Sequence, residues 1–165
     1  MDENLWSYDP RIDQTIRIPP SMMLGSWMGS DFTNDDIVRE TSYVEDYDTE
    51  LVGPSKKPDP EGWLINMKAK EGVVGLWERM EFVVSKDGTL PLVSRYYDRK
   101  GRLSRVMEFS DVRDFGGRIV PAKMALKPLD SKKKGQSTTF VYSKIEFDTK
   151  VPPGTFEESA LRRKR

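Results

Sequence analysis

The stretch that decides the fold is LWERMEFVVSKDGTLPLVSRYYDRKGRLSRVMEF, residues 76–109. Apolar and polar residues alternate with a period of two around two short turns, Lys86–Thr89 and Asp98–Gly101. This period is typical of strands with one buried face, and an Asp-Gly pair in the first turn is a strong hairpin signal. Because the connections are so short, the stretch predicts antiparallel strands in a meander.

The alternation continues on both sides of this stretch. It predicts longer strands over Gly62–Lys70, Arg118–Lys127 and Thr138–Phe147, and short ones over Asn4–Tyr8 and Gln14–Ile18. Residues predicted to share one face within their strand are Trp63, Ile65, Met67 and Ala69; Leu76, Met80, Phe82 and Val84, with Trp77 opposite; Leu103, Met107 and Phe109; Val120, Ala122, Met124 and Leu126; and Val141, Ile145 and Phe147. The sequence therefore predicts a mainly β protein built on one antiparallel sheet.

Helix signals are scarce. Residues Thr33–Asp36 match the capping-box pattern and predict one or two helical turns through Val38. Residues Thr155–Glu158 repeat the pattern and predict a short terminal helix ending in Arg162–Arg165, where cations suit the helix dipole. With 165 residues, the chain fits a single domain over 1–165.

Composition excludes several classes of function. Lys and Arg number 27 and Asp and Glu also number 27, which argues against a basic nucleic-acid binder. The chain has no cysteine and no histidine, so thiolate chemistry, Ser–His and Cys–His mechanisms and imidazole metal ligands are excluded. The simplest inference is a protein that binds rather than reacts, without a cofactor.

One apolar segment has no strand pattern: PPSMMLGSWMGSDFTNDD, residues 19–36. A large sheet must bury an apolar face against something, and this segment can serve as its cover. Two interpretations remain open, a permanent plug and a lid that moves aside for an apolar ligand, with methionine and glycine suiting the lid. The candidate cover residues are Met22, Met23, Trp27, Met28 and Phe32.

The carboxylates point to no clear chemistry. Asp31, Thr33 and Asp35 match the first ligand positions of a calcium loop, but Asp36 replaces the glycine that such a loop requires. No metal site is expected. A hydrolase would need paired acids inside the sheet, where Glu78 and Glu108 are the obvious candidates.

At its N-terminal end the chain resembles a known family. The run LWSYDPRIDQTIRIPPSMMLGSWMGSDFTNDDIV, residues 5–38, is similar to the signature of the outer membrane lipoprotein-sorting proteins, a branch of the LolA/LolB-like carrier superfamily. Its most specific block is Gly-Ser-Asp-Phe at Gly29–Phe32. Further matching stretches are YYDRKGRLSRVMEFSD at Tyr96–Asp111, GGRIVP at Gly116–Pro121 and FDTKVPPGTFEESALRR at Phe147–Arg163.

The resemblance implies a curved, open antiparallel sheet, a half-barrel, with acyl chains in its hollow under a short helical lid. It implies a periplasmic carrier of lipid or lipoprotein acyl chains toward the outer membrane, without catalysis and with an inner-membrane transporter as a candidate partner. Sheet residues expected to contact the chains are Leu76, Met80, Phe82, Met107 and Phe109. Family members begin with an export signal, a helix and further strands, so this chain is expected to lack them and to expose a sheet edge to a second copy.

A second hypothesis comes from another class of protein. In it the chain is a non-catalytic structural or interaction module whose cleft is filled by its own side chains. Co-purified lipid would favour the carrier, and a fully packed interior would favour the module.

Overall fold

A computed structural model describes residues 5–38, 43–73, 77–130, 133 and 135–162. Seven antiparallel strands form one open sheet in sequence order, β3 to β9, and a separate hairpin of β1 and β2 precedes them. The strands are β1 (Trp6–Asp9), β2 (Gln14–Arg17), β3 (Tyr47–Pro54), β4 (Trp63–Ala69), β5 (Arg79–Val84), β6 (Pro91–Tyr97), β7 (Leu103–Asp114), β8 (Ile119–Pro128) and β9 (Thr138–Val141). The helices are α1 (Asn34–Val38) and α2 (Tyr43–Asp46), with single 3-10 turns at Pro20–Met22 and Glu158–Arg162.

The meander follows from its turns. Gly88 and Gly101 have φ of 74° and 72° in the two tight connections that join β5 to β6 and β6 to β7. A glycine adopts this left-handed conformation without the steric cost that a side chain would add. The predicted antiparallel meander is therefore confirmed, and its registers run unbroken from strand to strand apart from single bulges.

One face of the sheet carries the core; we call it the covered face. Register pairs set Met67 opposite Met80, Met80 opposite Tyr96, and Met107 opposite Leu126, so each pair lies on the same face. Met80 and Leu126 are fully buried. The other face, which we call the opposite face, carries ion pairs and polar groups beside an apolar group of Leu64, Val83 and Val93, of which Val83 is fully buried.

The cover, residues 19–36, lies over the covered face. Its centre is a tight turn in which Met28 and Gly29 both have positive φ, 51° and 75°, and the Ser30 N–H donates to the Trp27 carbonyl at 3.0 Å. Two left-handed residues in succession make the turn type that closes hairpins, and a bridge between Ser26 and Thr33 continues this one.

Helix α1 begins as the capping-box pattern predicts. The Thr33 N–H donates to Asp36 Oδ2 at 2.8 Å, and the Asp36 N–H donates back to Thr33 Oγ1 at 3.2 Å. Backbone bonds then tie the helix start to the cover, since the Asn34 N–H reaches the Gly25 carbonyl at 3.0 Å. The cover and α1 thus form one hydrogen-bonded unit.

The hairpin of β1 and β2 packs against the C-terminal 3-10 turn rather than extending the large sheet. The Arg162 Nε donates to Thr15 Oγ1 at 3.2 Å across this contact. Residues Thr155–Glu158 do not cap an α-helix as predicted, because the Thr155 hydroxyl donates to the Pro152 carbonyl at 2.6 Å and the turn that follows is 3-10.

Three predictions about strands need correction. Strand β5 begins only at Arg79, so Trp77 precedes the alternation and packs into the core instead of facing away. Strand β9 ends at Val141, which is 61% exposed, while Phe140 faces the core. Ile145 and Phe147 lie beyond that strand, and the predicted sheet residue Leu76 lies outside the described residues.

Strand β3 was not foreseen. It covers Tyr47–Pro54, and all but two of its residues are exposed. As an edge strand it buries little side-chain surface, so it shows no alternation of apolar and polar residues. The described residues contain no helix long and apolar enough to cross a membrane.

Candidate functional site

A cavity of about 420 Å³ lies between the cover and the covered face. The cover contributes Trp27 and Phe32, and α1 and α2 contribute Ile37 and Tyr43. The remaining walls come from Asp36, Phe82, Pro91, Tyr96, Arg105, Met107, Phe109, Met124, Phe140 and Tyr142. Its size and mainly apolar walls are those of a small-molecule binding site.

Aromatic rings join the cover to strand β9 at one side of the cavity. The ring centroids of Phe32 and Phe140 are 5.0 Å apart, and those of Trp27 and Phe140 are 6.2 Å apart. Both pairs are tilted, an arrangement that the ring quadrupoles favour. Phe32 is 8% exposed, so it is a buried anchor of the cover, whereas Trp27 is only half-buried.

A buried ion pair joins α1 to the sheet at another wall. The Arg105 guanidinium donates through both terminal nitrogens to the Asp36 carboxylate, one bond being 2.6 Å, and the two side chains are 6% and 8% exposed. The same guanidinium lies over the rings of Trp77 and Tyr96, 4.3 and 4.4 Å from their centroids. Bidentate pairing with aromatic stacking holds Arg105 in one position.

The surroundings of this pair set two pKa values. Burial acts to raise the pKa of Asp36, but the hydrogen bonds and charge of Arg105, aided by Thr33, outweigh it and hold that pKa below its usual range. Burial raises the pKa of the nearby Tyr43 hydroxyl. At neutral pH the wall therefore carries one carboxylate and one guanidinium that neutralise each other, beside a neutral phenol.

A second polar contact fixes the cover to β9. The Asp31 N–H donates to Thr138 Oγ1 at 2.9 Å, and the Thr138 hydroxyl donates to the Asp31 carboxylate at 2.9 Å. The Lys133 ammonium adds a bond of 3.2 Å to the same carboxylate. The cover is thus tied to the sheet at Asp31 and Asp36, on both sides of Phe32.

Five of the predicted site residues meet around the cavity. Trp27 and Phe32 come from the cover, and Phe82, Met107 and Phe109 come from the sheet. Met80 shares their face but is completely buried in the core. The structure thus brings together predicted residues of the cover and predicted residues of the sheet.

The predicted methionines of the cover lie elsewhere. Met22 is 55% exposed and Met28 is 85% exposed, and neither lines the cavity. Met23 is half-buried and also outside the lining. Whether any predicted residue contacts lipid stays a prediction.

Sequence reasoning missed several residues of the site, Arg105, Tyr43 and Phe140 above all. A signal existed for Arg105, because it alternates in register with Met107 and Phe109 and so had to share their face. Tyr43 and Phe140 gave no such signal. Their positions depend on how α2 and β9 pack, which alternation does not report.

The carboxylates considered for hydrolysis do not meet here. Glu78 and Glu108 are both exposed, and Glu108 accepts a bond of 2.6 Å from Lys127 on the opposite face. Among the described residues that line the cavity, Asp36 is the one carboxylate, and it is bound by Arg105. In the part of the chain that the structure describes, no cluster of three or more potential ligands could hold a metal ion.

The chain matches a protein family along nearly its whole length. A family model described as "Uncharacterized protein" matches residues 1–163. No curated protein matches the chain.

Three solved structures are similar over almost all of this chain. A DUF1329 family protein from Desulfovibrio piger is 28% identical, with a TM-score of 0.84 and coverage of 96% of this chain and 65% of that one. A putative outer membrane lipoprotein-sorting protein domain from Vibrio parahaemolyticus is 22% identical, with a TM-score of 0.79 and coverage of 97% and 66%. A LolA superfamily protein from Nitrosomonas europaea is 20% identical, with a TM-score of 0.70 and coverage of 96% and 68%.

The chain spans about two thirds of the length of these proteins. Their likeness confirms the mainly β, open-sheet fold and shows that an outer membrane lipoprotein-sorting domain has a similar one. The chain belongs to the family whose model matches residues 1–163, and its fold is that of the LolA-like proteins.

Proposed function

We propose that this protein is a periplasmic carrier that binds the acyl chain of a lipid or lipoprotein in the cavity under the cover and acts without catalysis. The observation that carries the proposal is the cavity itself, about 420 Å³ between an apolar sheet face and a separate covering segment. The LolA-like fold supports the same function. The similar domain from Vibrio parahaemolyticus is named for lipoprotein sorting, and we extend that role to this chain.

Hydrocarbon burial supplies enough free energy for such a carrier. Each buried methylene contributes about 0.8 kcal/mol, so a chain of ten carbons gains about 8 kcal/mol before the cost of association. The lining offers aromatic rings and the flexible thioethers of Met107 and Met124, which adapt to a chain without a fixed shape. Release then requires that the cover yield at its contacts with the sheet.

The outer surface of the cover suits a donor or acceptor partner. Met22, Leu24 and Met28 are 55%, 58% and 85% exposed and lie within seven residues of one another. We propose this surface as the contact for a membrane or for an inner-membrane transporter. The exposed edge strand β3 is the proposed site for pairing with a second copy.

The binding role is tested by placing a charge in the cavity. Phe109→Asp puts a carboxylate into the lining, and Val112→Asp on the same strand, 48% exposed, is the matched control. Delipidated proteins are mixed with palmitate, and native mass spectrometry measures the bound fraction. We expect wild type and Val112→Asp to bind and Phe109→Asp to lose at least about tenfold in affinity, because an isolated charge is costly in an apolar site.

Equal binding by both variants would contradict the proposal, as would a wild-type protein that takes up no palmitate. Circular dichroism and thermal melting establish that each variant is folded. If Phe109→Asp unfolds, Met124→Gln provides a milder change to the same wall.

The interaction module remains the second candidate, because the cover is held at Asp31 and Asp36 and Met80 and Leu126 are fully buried. In a fixed module, the cavity stays empty or closes. Lipid extraction from freshly purified protein separates the two functions, since a carrier yields stoichiometric lipid and a module yields none.

A further inference from the structure

The outer surface of the cover is uncharged in a chain that is otherwise rich in charge. Residues 19–30 contain no Asp, Glu, Lys or Arg, whereas these four types make up 33% of the whole chain. Met22, Leu24 and Met28 lie within this run and are 55%, 58% and 85% exposed. A single exposed apolar side chain needs no explanation, but three of them in one short uncharged run indicate an interaction surface.

Met28 stands where the turn itself favours a different residue. Met28 and Gly29 are the two central residues of the turn, with φ of 51° and 75°. Such turns favour Asn, Asp or Gly at both positions, because other side chains adopt a left-handed conformation at a cost in free energy. The Met28 side chain recovers little of that cost by packing, since it is 85% exposed. An apolar side chain held in solvent by a strained backbone indicates a functional contact.

Hydrogen bonds fix this turn to the wall of the cavity. The Trp27 N–H donates to the Phe32 carbonyl at 2.7 Å, and the Ser30 hydroxyl donates to the Trp27 carbonyl at 2.6 Å. The Phe32 N–H donates to Ser30 Oγ at 3.2 Å. Trp27 and Phe32 both line the cavity. Met28 is therefore presented by a hydrogen-bonded turn whose base is part of the cavity wall.

The charges that border the uncharged run favour a lipid surface as its partner. Asp31 follows the run, and its carboxylate accepts from the Thr138 hydroxyl at 2.9 Å and from the Lys133 ammonium at 3.2 Å. Arg17 precedes the run, is exposed, and forms no ion pair with another described residue. Trp6, 37% exposed, lies opposite Arg17 in the hairpin. An uncharged apolar centre with a tryptophan and a cation beside it suits the boundary between lipid head groups and acyl chains.

We infer that the outer surface of the cover docks on a phospholipid bilayer and inserts Met22, Leu24 and Met28 at the boundary between its head groups and acyl chains. The inference rests on the proposed function and narrows it, because it selects the membrane over the transporter as the partner of this surface. A protein interface would carry a polar rim, to which residues 19–30 contribute no charge. Insertion of three side chains gives weak, reversible docking, which suits a carrier.

Vesicle co-sedimentation of delipidated protein tests the docking. The vesicles are phosphatidylcholine alone and phosphatidylcholine with about 30% phosphatidylglycerol. Met28→Gly removes the apolar side chain, and Val44→Gln is the matched control, because Val44 is 84% exposed on α2. We expect Met28→Gly to bind vesicles about tenfold more weakly and Val44→Gln to stay within about twofold of wild type. The anionic lipid should strengthen wild-type binding about fivefold at most, because one unpaired cation borders the run.

Stability separates docking from a purely structural role of Met28. Glycine relieves the cost of positive φ at this position, so Met28→Gly should be no less stable than wild type in thermal unfolding. Its uptake of palmitate should not change, because Met28 lies outside the cavity lining. Weaker vesicle binding by an equally stable protein cannot then result from unfolding.

A fluorescent probe supplies a second measurement that does not depend on Met28. The chain contains no cysteine, so Leu24→Cys and Val44→Cys each provide a single site for a nitrobenzoxadiazole label. We expect vesicles to shift the emission of the label at position 24 to shorter wavelength and to leave the label at position 44 unchanged. Such a shift reports transfer of the label from water into the apolar part of the bilayer.

A wild-type protein that binds no lipid vesicle would overturn the inference, and so would equal losses in Met28→Gly and Val44→Gln. Binding confined to native membrane vesicles, and abolished by protease treatment of those vesicles, would also overturn it, in favour of a transporter. None of these results affects palmitate uptake, which tests the carrier function separately. A protein that binds vesicles but takes up no palmitate would contradict the carrier function and leave the membrane contact standing.

Discussion

Each face of the large sheet carries an ion pair between an arginine and an aspartate, and the two pairs differ in how deeply they are buried. On the covered face Arg105 pairs with Asp36 beneath the cover, and both are less than a tenth exposed. On the opposite face Arg95 pairs with Asp59 at the sheet surface, with side chains 19% and 17% exposed. Both arginines hold a segment outside the sheet against a strand, but the pair of Arg105 is much more buried than that of Arg95.

The polar groups of the opposite face satisfy one another. Glu81 accepts from Arg79 and, at 2.9 Å, from the Tyr97 hydroxyl, and the Arg79 guanidinium lies 3.6 Å from the Tyr97 ring centroid. The covered face has apolar side chains in the corresponding positions and an unfilled volume beside them. The polar groups of the opposite face are therefore paired at the sheet surface, whereas the covered face depends on the cover and on what lies beneath it.

The largest expected difference in stability between the two faces is seen when the arginine of each ion pair is replaced by methionine. Arg105→Met leaves the Asp36 carboxylate buried without its partner and should lower the free energy of unfolding by about 3–5 kcal/mol. Arg95→Met leaves partners that water can reach and should cost about 1 kcal/mol. Urea denaturation of both variants measures the difference.

Pairing the change at Arg105 with Asp36→Leu sharpens this test. The double variant carries no unpaired buried charge, so it should recover part of the stability that Arg105→Met loses. If Arg105→Met cost no more than Arg95→Met, the claim that the covered face excludes water would fail.

A change in pH is expected to have a smaller effect on the free energy of unfolding. Because the pKa of Asp36 is lowered in the folded protein, the unfolded chain binds the proton more readily, and stability rises with pH across the window between the two pKa values. The contribution is complete above the unfolded value of about 3.9 and is lost as pH falls through the folded value.

Urea denaturation from neutral pH down to acid should therefore show a steeper loss below about pH 4 in wild type than in the double variant. If the free energy of unfolding fell equally with pH in the two proteins, the ion pair would contribute nothing to the acid sensitivity. Exposed carboxylates titrate in both proteins and cancel in the comparison.

The smallest expected effect on stability comes from replacing two serines, one on each side of this comparison between buried and exposed groups. Ser94 lies on the covered face, completely buried, and its hydroxyl has no hydrogen-bond partner among the described residues. Ser85 accepts from the Leu90 N–H at 3.0 Å and donates to Asp87. Ser94→Ala should be neutral or stabilising by up to about 1 kcal/mol, and Ser85→Ala should cost about 1 kcal/mol.

Thermal unfolding of the two alanine variants checks this order. Equal losses would indicate that Ser94 has a partner in solution. Bound water is the obvious one, and it would lie beside the strand positions of Phe82 and Met107, which pair with Ser94 in the sheet.

The sequence could predict what local pattern controls. Alternation in residues 79–109 located the strands and their shared face, and the capping box located the start of α1. It could not predict that Trp77 turns back into the core, because that depends on where β5 begins. It also missed β3, whose exposed side chains carry no periodic signal.

The site was predictable to the extent that it lies on strands. Phe82, Met107 and Phe109 follow from period two, and Trp27 and Phe32 from the apolar segment that lacks a strand pattern and could cover the sheet. The structure places the cover methionines outside the cavity lining, and Met28, in a turn with positive φ, is 85% exposed. Backbone conformation in an irregular segment is not encoded in a simple spacing of apolar residues.

The most direct measurement is a crystal structure of the delipidated protein soaked with a fatty acid carrying a terminal bromine. We predict one anomalous bromine peak within the cavity, among Phe82, Met107 and Phe140, with the carboxylate toward Ile37 and Tyr142, the lining residues that are each 39% exposed. A bromine peak confined to the exposed surface of Met22, Leu24 and Met28, or no peak at all, would contradict binding of an acyl chain beneath the cover.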